Sequence, residues 1–242
     1  SKSWNIALPG RGLSSPIIID NLILVTASSG PQQSNLHILA YNVGNGVLAW
    51  ERIFKATGRT ICHSKTSVAA STMVSNGNVV VAQFSSNDIF CLDLNGNLVW
   101  LRGLTFDYPN IANGLGMSSS PVTAKGVLIT QVENDADSFT FGLNIQNGTT
   151  LWKKTRPRGA NWTSPIVLDQ NSDRWIGLQS KEGLTFINPS NGNEIWSYHE
   201  GASTIPSSVV AENKMVLIPS NGLTAVKEPT LHSSPIQKWT NN

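Results

Sequence analysis

Residues 188–196, NPSNGNEIW, set a polar turn holding Asn191-Gly192 directly before a large apolar ring. Close variants occur at 42–50 (NVGNGVLAW), 93–100 (DLNGNLVW) and 144–152 (NIQNGTTLW). In each, a glycine (Gly46, Gly96, Gly148, Gly192) preceded by Asn stands four residues before a tryptophan (Trp50, Trp100, Trp152, Trp196). Trp4 and Trp239 extend the ladder, and successive spacings are 46, 50, 52, 44 and 43 residues. Six of the eight tryptophans therefore lie on one period, which is the signature of a repeat architecture.

A second landmark runs in phase with the first. SSPIII (14–19), SSPVTA (119–124) and TSPIVL (163–168) each open a unit, and the segments beginning at Ser71 and Ser207 are degenerate versions. Each opening is followed by a turn, a second apolar run such as NLILVTA or GVLITQV, a third such as DIFCLDL, and the tryptophan run. Val, Ile and aromatic enrichment between frequent Gly, Asn and Pro punctuation marks short strands, and no segment sustains a 3.6-residue period. The Asn-Gly pairs predict tight hairpins with positive φ at both central positions. Four antiparallel strands repeating every 43–52 residues predict an all-β chain of β-propeller blades. The units fall at about 12–54, 63–103, 117–155, 162–199 and 204–241 within a single domain spanning 1–242. Trp4, Trp50, Trp100, Trp152, Trp196 and Trp239 are expected to cover the joints between neighbouring blades, since a large ring at a fixed place on the outer strand buries both faces' worth of apolar area.

Bulk composition agrees and excludes several function classes. Only 13% of residues are charged, against 40% hydrophobic, which suits exposed strands and tight turns better than salt-bridged helices. The net charge of +2 comes with no block of like charges, so an electrostatic footprint for nucleic acid is missing. KKTRPR (153–158) is the nearest approach and reads as a solvated loop after a strand. No run approaches the length of a membrane span. No signal peptide is legible and the chain opens at Ser1, so an exported origin stays open. Cys62 and Cys91, 29 residues apart, are compatible with a disulfide or with two buried thiols.

AYNVGNGVLAW (40–50) resembles the tryptophan-docking motif of the quinoprotein, or pyrroloquinoline-quinone-like, β-propeller repeat family, with Asn in place of the motif's Asp and Thr. GLNIQNGTTLW and FINPSNGNEIW keep the spacing without the alanine, CLDLNGNLVW is one residue short, and the S-S-P openings are similar too. The family includes quinone-dependent alcohol and glucose dehydrogenases, a periplasmic scaffold lipoprotein of outer-membrane protein assembly, and other exported proteins. The resemblance implies a ring of seven or eight blades, of which this chain supplies about five. The alternative is a five-bladed ring closed by the Trp4 strand, and Pro235, standing where the last unit should have glycine, bears on that choice. An open arc leaves unpaired strand edges and would self-associate.

For function, the resemblance implies two classes. One is a non-catalytic, periplasmic or otherwise exported bacterial scaffold presenting loops to a protein, peptide or carbohydrate partner. The other is a dehydrogenase or a degenerate relative, with pyrroloquinoline quinone and Ca²⁺ at the channel mouth, held by Glu, Asn and Asp beside an Asp base. No adjacent cysteines are present, and the one acidic cluster, 133–137 (ENDAD), reads as a solvated hairpin tip. The histidines His37, His63, His199 and His232 sit in separate units with no nucleophile elbow, so no catalytic residue is assigned. Loops entering each unit (10–12, 62–65, 113–118, 159–162, 199–203) would gather at the channel mouth, where Arg11, His63, Lys65, Asn161 and Trp162 are the candidate ligand-binding groups. Trp162 is singled out because it lies off the tryptophan period.

Overall fold

The structure, a computed structural model, describes residues 4–111, 114–170, 173–231 and 233–241. Asn113 of the third candidate loop and His232 lie outside the described residues.

Val-, Ile- and Leu-rich runs separated by turn residues form five four-stranded sheets among the described residues, each an up-and-down antiparallel meander. The first comprises β1 (Ile17–Ile19), β2 (Leu22–Ser29), β3 (Asn35–Asn42) and β4 (Leu48–Lys55). The second holds β5 (Val74–Ser75), β6 (Val79–Gln83), β7 (Asp88–Asp93) and β8 (Leu98–Gly103), followed by a single helical turn, α1 (Leu104–Asp107). The third holds β9 (Val122–Ala124), β10 (Val127–Val132), β11 (Phe139–Asn144) and β12 (Thr150–Thr155). The fourth is β13 (Ile166–Gln170), β14 (Asp173–Ser180), β15 (Gly183–Ile187) and β16 (Glu194–Tyr198). The fifth is β17 (Val209–Val210), β18 (Val216–Pro219), β19 (Leu223–Val226) and β20 (Gln237–Asn241). These are propeller blades, and the chain is a partial β-propeller. The two units with degenerate openings have inner strands of only two residues, β5 and β17.

The chain divides into two compact units, 1–121 with 145–148, and 122–144 with 149–242. In the first, Leu24, Leu36 and Ile38 pack with Val80, Phe84 and Phe90, and Phe54 stacks on Phe90 at 4.2 Å. In the second, Ala124 and Ile129 meet Ile176 and Leu178, while Phe186, Trp196, Val216 and Ile218 build a further core. Each core therefore joins the faces of two successive sheets, which is how a blade with two apolar faces removes both from water.

The turns differ from the expected hairpin type. Gly46, Gly96, Gly148 and Gly192 have φ of 69°, 81°, 72° and 70°, but none of the preceding Asn residues has positive φ. The Asn side chain acts instead: Asn45 Oδ1 accepts the Val47 N–H at 3.0 Å, and Asn191 Oδ1 accepts the Asn193 N–H at 2.9 Å. Gly46 N–H donates to the Asn42 carbonyl at 2.8 Å and Gly192 N–H to the Asn188 carbonyl at 2.8 Å, while Asn42 N–H and Asn188 N–H donate to the Val47 and Asn193 carbonyls, so four residues rather than two fill each hairpin loop. Asn thus satisfies a backbone donor in an Asx turn rather than adopting a left-handed conformation itself.

The tryptophans fall into three groups. Trp4, Trp50, Trp100 and Trp152 lie over Gly46, Gly96, Gly148 and Gly192, so close that a Cβ on any of these glycines would stand 2.7–2.8 Å from the indole. Their Nε1–H groups donate to the carbonyls of Val43, Leu94, Ile145 and Pro189 at 2.8–2.9 Å. Trp196 is buried, yet its Nε1 has no partner. Trp239 is 43% exposed on β20, all five residues of which are exposed.

Candidate functional site

Within the first unit, the expected loop residues Arg11, His63 and Lys65 come together. Arg11 forms a β-bridge with Ser28, and its guanidinium donates to the Ser64 carbonyl at 2.7 Å. His63 N–H donates to the Leu115 carbonyl, its carbonyl accepts the Thr66 N–H, and its Nδ1 accepts the Lys65 N–H at 3.1 Å. Arg11 and His63 thus fix the 62–66 turn, and Lys65 stands exposed on it.

In the second unit, Asn161 is 2% exposed and hydrogen-bonded on every side. Its Nδ2 donates to Glu133 Oε2 at 2.8 Å and to the Gln179 carbonyl at 2.7 Å. Its Oδ1 accepts from the Thr163 N–H and Oγ1. An amide has two donors and two lone pairs, so all of its capacity is spent within the fold. Trp162 is half-buried beside it, and its backbone N–H donates to the Thr204 carbonyl at 2.9 Å.

Two expectations from the charged segments are corrected here. Glu133, at the start of the acidic cluster, is 1% exposed and paired with Arg156 Nε at 2.7 Å. Arg156, within KKTRPR, also donates to the Leu178 and Gln179 carbonyls, at 3.4 and 3.3 Å. Neither segment is simply a solvated tip. The pair is buried because the loop after β12 folds back onto the loop after β10, and each charge then compensates the other.

Several contacts lie outside the motifs singled out above. Gln131 and Gln179, 48 residues apart and both at the end of a second strand, reach forward into the loop entering the next blade. Gln131 Nε2 donates to the Thr163 carbonyl at 2.8 Å, while Gln179 binds the Ser203 and Pro206 carbonyls and the Ser208 N–H. Gln83 lies a further 48 residues upstream, so the period was there to be found. On the first blade, Ser29 Oγ is 2.7 Å from His37 Nε2, and His37 Nδ1 is 2.7 Å from Glu51 Oε1. Cross-strand pairing of β2, β3 and β4 sets these three on one sheet face.

The first unit also holds a cavity of about 540 Å³, walled by the loops after β4, β6 and β8. Thr57, Arg59, Ile61, Asn87, Ile111 and Met117 face it. Its walls are pinned from behind. Asp88, 1% exposed, accepts from Thr57 N–H at 3.0 Å, from Thr57 Oγ1 and from Ser86 Oγ. Ser85 Oγ donates to the Ile61 carbonyl at 2.8 Å and accepts the Met117 N–H at 2.9 Å. The backbone of Asn87 is held through Phe84 and Leu104.

The dehydrogenase branch of the resemblance would require Glu, Asn and Asp oxygens for Ca²⁺. The buried carboxylates Asp88 and Glu133 are already committed to protein donors. Among the described residues no group of three His, Cys, Asp or Glu is placed to hold a metal ion. Cys62 and Cys91 are free thiols.

Comparison with known proteins bears on both units. Residues 1–111 and 111–227 match the family model described as outer membrane protein assembly factor BamB. A curated protein of that name from Alkalilimnicola ehrlichii is 24% identical over 86% of this chain and 49% of its own length. Another, from Legionella pneumophila, is 25% identical over 88% of this chain and 50% of its own. The chain thus spans about half the length of these relatives. The quinohemoprotein alcohol dehydrogenase of Comamonas testosteroni superposes with a TM-score of 0.71 over 96% of this chain and 43% of that one. At 15% identity this last likeness shows the fold alone.

Proposed function

The chain belongs to the pyrroloquinoline-quinone-like repeat family described as outer membrane protein assembly factor BamB, and on that premise we propose that it is a non-catalytic scaffold. It works in the exported compartment of a bacterium, and its strand-end loops bind a protein partner engaged in outer membrane protein assembly. The observation that carries this is the double match of the family model, which covers residues 1–111 and then 111–227. The commitment of the buried carboxylates to protein donors supports a scaffold over a quinone enzyme. So does the way Gln131, Gln179 and Arg156 spend their side chains on stiffening the loops, because a rigid binding surface loses less entropy on association.

The test is genetic and chemical together. Loss of the gene should lower the levels of outer-membrane β-barrel proteins in its host, and the intact gene should restore them. A photo-crosslinking residue at position 63 should trap one protein of that assembly pathway, whereas the same residue at position 213, in the turn between β17 and β18, should not. Unchanged outer-membrane protein levels, together with saturable uptake of pyrroloquinoline quinone and Ca²⁺ and dye reduction by alcohols, would overturn the proposal.

A further inference from the structure

The cavity of the first unit is lined in part by Asn87, whose side-chain amide the fold leaves partly unused. Asn87 is 8% exposed and lines the cavity; its Oδ1 has no hydrogen-bond partner and is shut off from solvent, so a ligand meets it only when the amide turns about χ2. A buried amide without a partner costs about 1–3 kcal/mol, so such groups are normally satisfied by protein, water or ligand. Asn87 also holds φ at 63°, a left-handed conformation fixed by its N–H to the Phe84 carbonyl and its carbonyl to Leu104 N–H. The amide is therefore presented by a strained, anchored backbone rather than by a loose side chain.

The rest of the wall says what would satisfy it. Arg59 faces the cavity with no ion pair or hydrogen bond among the described residues. Among the described residues no carboxylate faces the cavity, because Asp88 is turned into Thr57 and Ser86 behind the wall. Ile61, Ile111, Pro109 and Met117 supply an apolar lining. A volume of about 540 Å³ lies in the range that holds small-molecule ligands. One planar guanidinium selects one planar oxyanion, since its fork matches a carboxylate in two parallel bonds. We propose that this cavity is a binding site for a monocarboxylate with an apolar body, whose carboxylate pairs with Arg59 and whose adjoining polar group meets Asn87. That chemistry is shared by a free N-acylated apolar amino acid and by the C-terminus of a peptide. The proposal does not rest on the scaffold function, and neither the family match nor the relatives' names speak to it.

Calorimetric titration of the full chain tests it with three probes: N-acetyl-leucine, acetyl-Ala-Leu-Leu with a free carboxylate, and the same tripeptide as its C-terminal amide. At least one of the acids should bind saturably, and the amide at least tenfold more weakly than the tripeptide acid if the tripeptide binds. Binding of the small acid alone identifies a metabolite-sized ligand, and preference for the tripeptide identifies a chain terminus. Arg59→Gln, a change at an exposed side chain that leaves the fold intact, should remove at least tenfold of the acid's affinity. Asn87→Gly, which keeps the left-handed backbone available, should weaken the acid severalfold, and the Asn87 side-chain amide resonance should shift on saturation of the parent protein. Arg174→Gln, in the second unit, should change nothing. The absence of saturable binding by either acid, or equal affinity of parent and Arg59→Gln for the acids, overturns the proposal.

Discussion

At the scale of single residues, the two cysteines show how position alone separates like groups. Cys91 sits inside β7 with its sheet partner Trp100 opposite, and burial pushes its thiol up to about 12 from 9.0. Cys62 lies on a partly exposed loop and accepts a weak contact from Gln33 Nε2. Iodoacetamide at pH 8 should therefore alkylate one thiol per native chain, Cys62, and two per chain in denaturant, as counted by mass spectrometry. A raised folded pKa means that the native state holds the proton more tightly than the unfolded chain. The contribution of Cys91 to stability is then complete below pH 9.0 and lost progressively as pH rises towards about 12. Thermal melts of the parent chain across that window should decline more steeply than those of Cys91→Ala.

At the scale of elements, the repeated outer hairpin explains the motif that first marks the fold. In all five sheets the register shifts by one residue next to the tryptophan's partner. That partner is Ala40, Cys91, Gly142, Phe186 or Ala225. The small residue of the docking motif is thus the one directly across the sheet from the indole. At Gly142 a Cβ would collide with the Trp152 ring itself. Phe186 breaks the rule, with its ring centroid 5.8 Å from that of Trp196, and Trp196 is also the buried indole whose N–H finds no acceptor. The sequence after β19 has Pro235 where the other units carry glycine, so the turn that should receive Trp196 is absent in kind. Trp152→Phe should cost about 1–3 kcal/mol, because it orphans the Pro189 carbonyl. Trp196→Phe deletes a donor that is already unpaired and should cost less by at least 1 kcal/mol. Urea denaturation of the two variants, both in the second unit, measures the difference directly.

At the scale of the whole molecule, stability in a repeat chain is a sum of blade and nearest-neighbour terms rather than one indivisible core. A lesion should therefore be felt most in its own unit. Arg156→Met leaves Glu133 buried without its cation, a change that costs about 3–5 kcal/mol at such sites. Hydrogen exchange should accelerate across β10, β11, β14 and β15 by far more than across β2, β3, β6 and β7. Equal acceleration in both units would show a single cooperative core instead.

The all-β class, the blade period, the positions though not the type of the four glycine turns, and the two degenerate openings are all legible in the sequence, because they rest on local patterns. Alternation of apolar residues, glycine at positive φ and tryptophan four residues later are each satisfied within one hairpin or its neighbour. The candidate loops are legible for the same reason, since a loop is what remains between strands. What those loops do was decided only in three dimensions. Asn161 turned from a candidate ligand group into a fully bonded strut, Glu133 and Arg156 left solvent for each other, and Asn87 and Arg59 were brought to one cavity from separate blades. Whether a polar side chain is spent or free depends on partners tens of residues away, and no local pattern records them. The sequence by itself therefore determined the architecture, and the tertiary structure decided which of its polar groups were left to bind anything else.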